Sequence, residues 1–303
     1  MTASFEQQNK TPYFLGIDGG GSKCKAVILD YQLNVLGLAV SGPANPFHGF
    51  DKAINEIMQA TELALKEANI NELDLSQLIV GMGLAGVNLP SVFNQVANWQ
   101  HPFKKMYLTT DLHIAELAAH NGQDGAIIIT GTGSCGYALV NGKMTIVGGH
   151  GFPHGDLASG AWLGFTAVQK VLLSLDGFIA PTSLTDKLFH YLAVDNALSL
   201  IEKIAHQPAA FFAKLANLVF IAASENDQIA LTILKDAEQY LVKMSEQLFA
   251  TGAQRLSFIG GLADKFVDLL PLSLQKKLVK PIHLPEIGAG LFAKQQLAIE
   301  LNK

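Results

Sequence analysis

The sequence contains few cysteines and no unbroken apolar stretch long enough to cross a bilayer. Only Cys24 and Cys135 occur in 303 residues, without a CxxC pair or a cluster with metal-ligand spacing. This scarcity excludes a disulfide framework and is typical of reduced thiols in a cytosolic protein. The apolar stretch at 161–180 falls short of a membrane span because polar side chains interrupt it at Gln169, Lys170, Ser174 and Asp176.

Charged residues are also scarce. They make up 16% of the chain, and the net charge is −5 with an isoelectric point near 6.0. Such a balance provides no field for nucleic acid or an anionic membrane, so we expect neither as a partner. The first ten residues, MTASFEQQNK, lack the apolar core of a signal peptide. We therefore expect a cytoplasmic location, and we expect any bound phosphate to be held by local amides and a metal ion.

Two glycine-rich loops lie between pairs of predicted strands. The first, IDGGGSK at 17–23, precedes the strand CKAVILD, and the second, GTGS at 131–134, separates GAIIIT from GYALV. Such glycines let backbone N–H groups surround a phosphate group. Neither loop is a Walker A motif. GTGSCG fits the dinucleotide-binding spacing, with Asp156 downstream, but a strand rather than a helix follows it, so we reject that interpretation.

The two strand–glycine–strand units lie about a hundred residues apart and indicate an internal repeat. This repeat resembles the sugar kinase, Hsp70 and actin superfamily, and within it the chain resembles the group of N-acetylglucosamine kinases and BadF/BadG/BcrA/BcrD ATPases. The resemblance implies an α/β fold of two duplicated ribonuclease-H-like (actin-like ATPase) domains, each a mixed sheet with helices, and a cleft between them that binds ATP. The chain length and a hydrophobic content of 49% suit two domains with buried sheets.

We predict a first domain at 1–111, completed by a C-terminal helix at 286–303, and a second domain at 112–285 with a helical insertion at about 178–251. Apolar periodicity predicts a helix over 51–68 with Asp51 as its N-cap. Further predicted elements are strands at 78–84, 255–261 and 280–284 and a long helix from Asp156 to about Leu175.

The resemblance also implies which residues bind ATP and Mg²⁺. The two glycine loops would carry the phosphate contacts, because a turn without Cβ atoms brings backbone and hydroxyl donors close to phosphoryl oxygens. Lys23 either contacts phosphate or remains solvated. Asp18, at the end of the first strand, would hold Mg²⁺ through water. The other nucleotide-binding residues are Gly19, Gly20, Gly21, Ser22, Thr132 and Gly133, together with Gly260 and Gly261 in FIGGLADKF, which either contact adenosine or form a tight strand–helix turn.

Asp111 is the predicted catalytic residue. It lies where the predicted strand KMYLTT gives way to the helix LHIAELAAHN, at the carboxyl edge of a sheet, where α/β proteins bind ligands. On its own, the residue would be an ordinary helix N-cap. The segment TTDLHIAELA resembles the kinase segment that carries the general base, which implies that Asp111 orients the sugar hydroxyl and accepts its proton. The helix N-terminus is expected to keep this carboxylate ionised.

The same resemblance assigns sugar recognition to polar groups that pair with several hydroxyls. Asn45 in SGPAN resembles the sugar-binding asparagine, although it also suits a turn. Asp156 resembles the acidic residue that binds ring hydroxyls, although Asp is also a common N-cap. His150 stands in GHG where relatives often have GWG, which leaves the preferred 2-substituent of the sugar open. The predicted pocket is completed by Gly86, Asp111, Ser134 and Cys135.

The resemblance as a whole implies ATP-dependent phosphorylation of the 6-hydroxyl of N-acetylglucosamine, with glucosamine as an alternative acceptor. A second hypothesis is a BadF-type activator ATPase, which holds an iron–sulfur cluster between subunits through cysteines in a motif resembling NDKCAAGTG. Neither Cys24 nor Cys135 is placed to bridge a dimer in this way. A third hypothesis is a sugar sensor without catalysis, against which an intact Asp111 argues. The sequence leaves open whether the protein forms a homodimer.

Overall fold

The computed structural model describes residues 12–70 and 73–302, and the chain divides into two compact units. The first unit comprises the chain up to Gln123 together with residues from Pro281 onward, and the second runs from Asp124 to Lys280. The predicted boundary after residue 111 differs from this division, because the helix that begins at Asp111 packs within the first unit. The N-terminal residues from which we expect a cytoplasmic location lie outside the described residues.

The first unit is built on a five-stranded mixed sheet in the order β3-β2-β1-β4-β5. Its strands are β1 (Phe14–Gly19), β2 (Cys24–Leu29), β3 (Val35–Ser41), β4 (Ile79–Leu84) and β5 (Lys105–Thr110), of which β1, β4 and β5 run parallel. Its helices are α1 (Phe50–Ala68), α2 (Pro90–Ala97), α3 (Asp111–His120) and α11 (Pro285–Leu301). Alternation along β1 fills two cores: Leu15 and Ile17 pack on the side of α1, whereas Phe14 packs with Ala293 of α11.

The second unit contains a four-stranded sheet in the order β8-β7-β6-β9. Its strands are β6 (Gly125–Thr130), β7 (Ser134–Val140), β8 (Lys143–Gly148) and β9 (Leu256–Ile259). Its helices are α4 (Gly160–Leu175), α5 (Leu184–Leu192), α6 (Ala197–Ile204), α7 (Ala209–Ser224), α8 (Gln228–Ala250), α9 (Ala263–Val267) and α10 (Leu272–Gln275). Within the two described ranges, every helix is too short or too polar to cross a bilayer.

Three predicted details of the helices and strands are wrong. The N-cap of α1 is Gly49, and Asp51 lies in the first helical turn. Helix α4 begins at Gly160, where the Ser159 hydroxyl accepts a hydrogen bond from the Trp162 amide at 3.1 Å, so Asp156 lies in the preceding loop and not in the helix. Residues 280–284 form no strand, because the amides of Ile282 and His283 donate to carbonyl groups at the end of α3 instead.

Helix α11 lies directly on the backbone of the first sheet. A Cβ atom on Gly16 would stand 1.9 Å from the carbonyl oxygen of Glu286, and one on Gly81 would stand 1.8 Å from that of Ala289. Both distances are far below van der Waals contact, so these two strand positions require glycine for the helix to approach. The sheet and the start of α11 are therefore held at a fixed spacing.

Gly81→Ala is expected to lower the free energy of unfolding by about 2–3 kcal/mol, because overpacking a closely packed core forces the backbone apart. Urea denaturation of the two proteins measures this difference. The control is Gly21→Ala in the same unit, where an added Cβ meets nothing within 4 Å. Equal destabilisation by both substitutions would contradict the packing argument.

Candidate functional site

Three parallel strands of the first unit end at the same edge of the sheet. Gly19 at the end of β1 is in register with Leu84 of β4, which is in register with Thr110 of β5. The segments that follow these ends are the first glycine loop, the turn that contains Gly86, and helix α3 with Asp111 as its first residue. This edge therefore collects the predicted site residues of the first unit, as expected for the carboxyl edge of parallel strands.

The first glycine loop forms a tight hairpin turn, in which the Gly20 amide donates to the Lys23 carbonyl at 3.0 Å. The Gly20 carbonyl accepts from the Ala44 amide at 2.9 Å, which ties the loop to the segment that carries Asn45. Gly21, Ser22 and Lys23 are exposed. The tip of the loop is thus accessible to a ligand, while its base is fixed by the backbone.

Asn45 and Gly86 lie against each other. Gly86 has a positive φ of 85°, and a Cβ atom there would stand 2.5 Å from Asn45 Oδ1. Asn45 Oδ1 accepts from the Phe47 amide at 2.9 Å and caps a short 3₁₀ turn at Pro46–His48, so the asparagine does serve the turn. Its side-chain NH₂ group makes no hydrogen bond to any described residue, which leaves two donors for a sugar hydroxyl.

Asp111 is the first residue of α3, and it is not the N-cap. Thr110 fills that position, since its hydroxyl accepts from the His113 amide at 3.2 Å. Asp111 Oδ1 accepts from the Leu112 amide at 2.9 Å. Burial raises the pKa of Asp111, and the Leu112 amide opposes this effect. The helix N-terminus was expected to keep this carboxylate ionised, but burial outweighs the effect of the amide, and the raised pKa makes Asp111 a stronger base when ionised.

Asp18 occupies the penultimate position of β1. Burial, followed by repulsion from Glu286 and Asp111, raises its pKa to about 6, whereas Lys25 and Lys23 act in the opposite direction. The described residues contain no group of three side chains able to ligate a metal. Mg²⁺ is commonly held by one or two carboxylates with water and phosphate completing its shell, so Asp18 and Asp111, which form no ion pair with a described residue, fit this ion as oxygen donors.

A buried ion pair behind Asp18 was not anticipated from the sequence. Glu286, in the first turn of α11, is fully buried and accepts from Lys25 Nζ at 3.0 Å through Oε1. Its second oxygen, Oε2, is also buried and has no hydrogen-bond partner among the described residues. The sequence did contain one signal for this pair, which is Lys25 inside the otherwise apolar strand CKAVIL. A charged side chain whose neighbours are buried needs a partner of opposite charge.

In the second unit, the second glycine loop lies beside Asp156. The Asp156 backbone has a positive φ of 58°, its Oδ1 accepts from the Gly151 amide at 3.0 Å, and its Oδ2 would be 2.5 Å from a Cβ on Gly133. Thr132 is exposed. The structure therefore brings a predicted phosphate loop and a predicted sugar ligand together within one unit.

Other predicted residues of the second unit line the same region with different degrees of access. The buried Ser134 hydroxyl donates to the Leu157 carbonyl at 2.5 Å. This hydrogen bond joins the second glycine loop to the loop that carries Asp156. A Cβ on Gly149 would lie 2.8 Å from Cys135 Sγ, so the GHG segment crosses over this cysteine. His150 is exposed. These placements leave His150 free to meet a ligand from solvent.

Tyr240 of α8 also reaches this region and was not anticipated. Its hydroxyl would lie 2.8 Å from a Cβ on Gly148, and burial, followed by the charges of Asp156 and Cys135, raises its pKa. The residue lies in the helical insertion, in which the sequence shows no chemical signature. Nothing in its helical spacing distinguishes it from an ordinary amphipathic position.

The pair Gly260 and Gly261 follows β9, which runs parallel to β6. A Cβ on Gly260 would lie 2.4 Å from the Thr130 carbonyl oxygen, which also accepts from the Leu262 amide at 3.0 Å. Gly260 is therefore required by a tight strand–helix turn. Gly261 is exposed and an added Cβ meets nothing within 4 Å, so only this glycine leaves open backbone for a purine.

Comparison with known proteins gives consistent similarities. Residues 15–293 match the BadF/BadG/BcrA/BcrD ATPase family. The chain is 34% identical to the glucosamine kinase of Vibrio cholerae over 93% of its own length and 95% of that protein. It is 31% identical to the N-acetyl-D-glucosamine kinase of Dictyostelium discoideum over 75% of this chain and 76% of that protein.

A solved structure is also similar. A candidate N-acetylglucosamine kinase of Chromobacterium violaceum has a TM-score of 0.86 and 30% identity, with 94% of this chain and 99% of that chain covered. Together with the two mixed sheets, this similarity confirms the expected α/β fold of two ribonuclease-H-like domains.

Asp18→Asn is expected to stabilise the ligand-free protein at neutral pH. Because the pKa of Asp18 rises from 3.8 to about 6 on folding, its protonation favours the folded state below pH 4, and this contribution is lost as the pH rises through 6. The variant should therefore gain about 2 kcal/mol over the original protein at pH 7.5 and little at pH 4, as measured by urea denaturation in EDTA. An equal gain at both pH values would show that charge is not responsible.

Proposed function

Because the chain belongs to the BadF/BadG/BcrA/BcrD ATPase family, we propose that it transfers the terminal phosphoryl group of ATP to the 6-hydroxyl of an amino sugar. The observation that carries the proposal is the shared sheet edge of the first unit, where the partly buried Asp111 and Asp18 adjoin an exposed glycine hairpin. The relatives named as kinases of glucosamine and N-acetylglucosamine support the choice of acceptor.

Asp111 acts as the general base in this proposal. The sugar O6 attacks the γ-phosphorus of ATP, a bond forms between O6 and phosphorus, and the bond from phosphorus to the β–γ bridging oxygen breaks. ADP leaves with the electron pair, and the O6 proton passes to Asp111. In phosphoryl transfer the protein mainly positions groups and compensates charge, so the raised pKa of Asp111 suits late proton acceptance.

The nucleotide is assigned to the two glycine loops. Exposed backbone and side-chain donors of Gly21, Ser22 and Lys23, with Thr132 of the second loop, would bind phosphoryl oxygens. Gly261 would allow the purine to lie against backbone. Asp18 would hold Mg²⁺ through water, and the ion would neutralise charge on the phosphates.

The amino sugar is assigned to Asn45, whose NH₂ group is available, and to Asp156, with His150 close to the 2-substituent. The Vibrio cholerae relative acts on glucosamine by its name, whereas the Dictyostelium discoideum relative acts on N-acetylglucosamine, so both acceptors are carried into the test.

The activator-ATPase hypothesis has less support. An iron–sulfur ligand must be a thiolate, and burial raises the pKa of the Cys24 thiol to about 12. A sugar sensor without catalysis would need neither a base such as Asp111, whose pKa is raised, nor a second carboxylate such as Asp18 beside it. The kinase proposal accounts for both carboxylates.

We expect sugar-dependent ADP release to be fastest, in kcat/KM, with glucosamine or N-acetylglucosamine among a panel that also contains glucose and N-acetylmannosamine. The physical reason is that polar groups built to bind a nitrogen substituent remain unpaired when the analogue lacks it, as glucose does, or carries it in the opposite configuration at C2, as N-acetylmannosamine does. Product analysis by NMR should show phosphate on O6. A higher kcat/KM for glucose than for glucosamine and N-acetylglucosamine, or ADP release without sugar dependence, would exclude the proposal.

Asp111→Asn is expected to reduce kcat by at least about a hundredfold, because a positioned base contributes about 10²–10⁴ in rate, while the sugar still binds. Coupled ADP assays and sugar-binding calorimetry measure the two effects separately. The control is Asp51→Asn, which removes an exposed carboxylate from the first turn of α1. Unchanged kcat in Asp111→Asn would assign the base to another residue.

A further inference from the structure

We propose that Glu286 is a positioning residue that holds the Lys25 ammonium group away from Asp18, so that the Asp18 carboxylate remains available to magnesium. The inference rests on the proposed function, because it concerns how that same site keeps its metal ligand free. It assigns a role to a buried ion pair whose two residues are not among those proposed to bind phosphate or sugar.

The strand register places a lysine beside the proposed metal ligand. Asp18 of β1 and Lys25 of β2 are Cα partners on adjacent antiparallel strands, so their side chains project from the same face of the sheet. Opposite charges at such positions attract each other and commonly pair. Within the described residues, however, Lys25 Nζ forms no ion pair with Asp18, and it donates to Glu286 Oε1 at 3.0 Å.

The position of Glu286 is fixed by the backbone rather than by its own side chain. Gly16, on the same face of β1 as Asp18, lacks the Cβ that would stand 1.9 Å from the Glu286 carbonyl oxygen. The first turn of α11 is therefore locked against the strand two residues before Asp18. A carboxylate held there withdraws the lysine toward the helix.

Stability alone does not account for this pair. Glu286 is fully buried, and its Oε2 has no partner among the described residues, which is a costly arrangement for a carboxylate. Replacing a buried ion pair by apolar residues is often neutral or stabilising. The pair is better explained by its effect on Asp18, since Glu286 and Lys25 act on that carboxylate with opposite signs.

Removal of Glu286 frees the lysine. In Glu286→Leu, the Lys25 ammonium group has lost its acceptor and can pair with Asp18 across the two strands. Magnesium must then displace an ammonium ion before Asp18 can bind its water shell. In Lys25→Met/Glu286→Leu the competing cation is absent, and Asp18 is free again.

The test is calorimetric titration with ADP, in excess magnesium and in EDTA, which gives the factor by which magnesium tightens ADP binding. For Glu286→Leu we expect this factor to fall by about tenfold to a hundredfold, the usual cost of altering a residue behind a metal ligand. For the double variant we expect it to return to within about threefold of the original value. The control is Glu225→Leu, which disrupts an exposed ion pair with Lys187 and should leave the factor unchanged. Circular dichroism confirms that each variant is folded.

An unchanged factor in Glu286→Leu would overturn the inference. So would a double variant as impaired as Glu286→Leu, because damage to the fold is not repaired by removing Lys25. If either result accompanies normal sugar phosphorylation by the original protein, the proposed function stands without this role for Glu286. A protein in which magnesium has no effect on ADP binding would overturn the inference directly, and only the sugar panel would then decide the function.

Discussion

The contact between the start of α11 and the backbone of β1 and β4 is the constraint on which the first unit depends. Two strand glycines, Gly16 and Gly81, bring carbonyl groups of the helix within a distance that no side chain permits. This contact closes one face of the sheet and delivers Glu286 to Lys25 behind the site. The sheet edge that carries Asp18 and Asp111 is thus positioned by a helix that is distant in sequence from both glycine loops.

The sheet edge of the first unit concentrates negative charge. Asp18 and Asp111 are partly buried, repel each other and carry raised pKa values, while the nearest internal lysine is engaged by Glu286. Burial makes the charged forms costly, and a divalent ion bound as proposed would relieve that cost. In the second unit the corresponding glycine loop lies beside Asp156, which is oriented by a backbone amide rather than by another charge. The two loops therefore differ in electrostatic character, although their strand–glycine–strand sequences are alike.

Local patterns in the sequence were sufficient for most of the fold. The glycine hairpins and the helix over 51–68 were predicted because turn chemistry and apolar periodicity act over a few residues. The strand at 280–284 was wrong because its amides pair with the end of α3, a distant partner that no local pattern reveals. The same reason hid Glu286 and Tyr240: each acquires its role only when segments far apart in the chain are packed together.

The order of the units along the chain has a consequence for biosynthesis. The second unit is continuous, so all of its strands and helices leave the ribosome before the last helix does. The first unit is interrupted, and its sheet emerges early but receives α11 only after the whole of the second unit has been synthesised. Until then the nascent N-terminal sheet exposes the apolar face around Phe14 and Val27 and contains a lysine without its counter-ion. A premature stop codon before α11 would therefore damage the first unit, which begins the chain, and would leave the second unit with all of its own strands and helices.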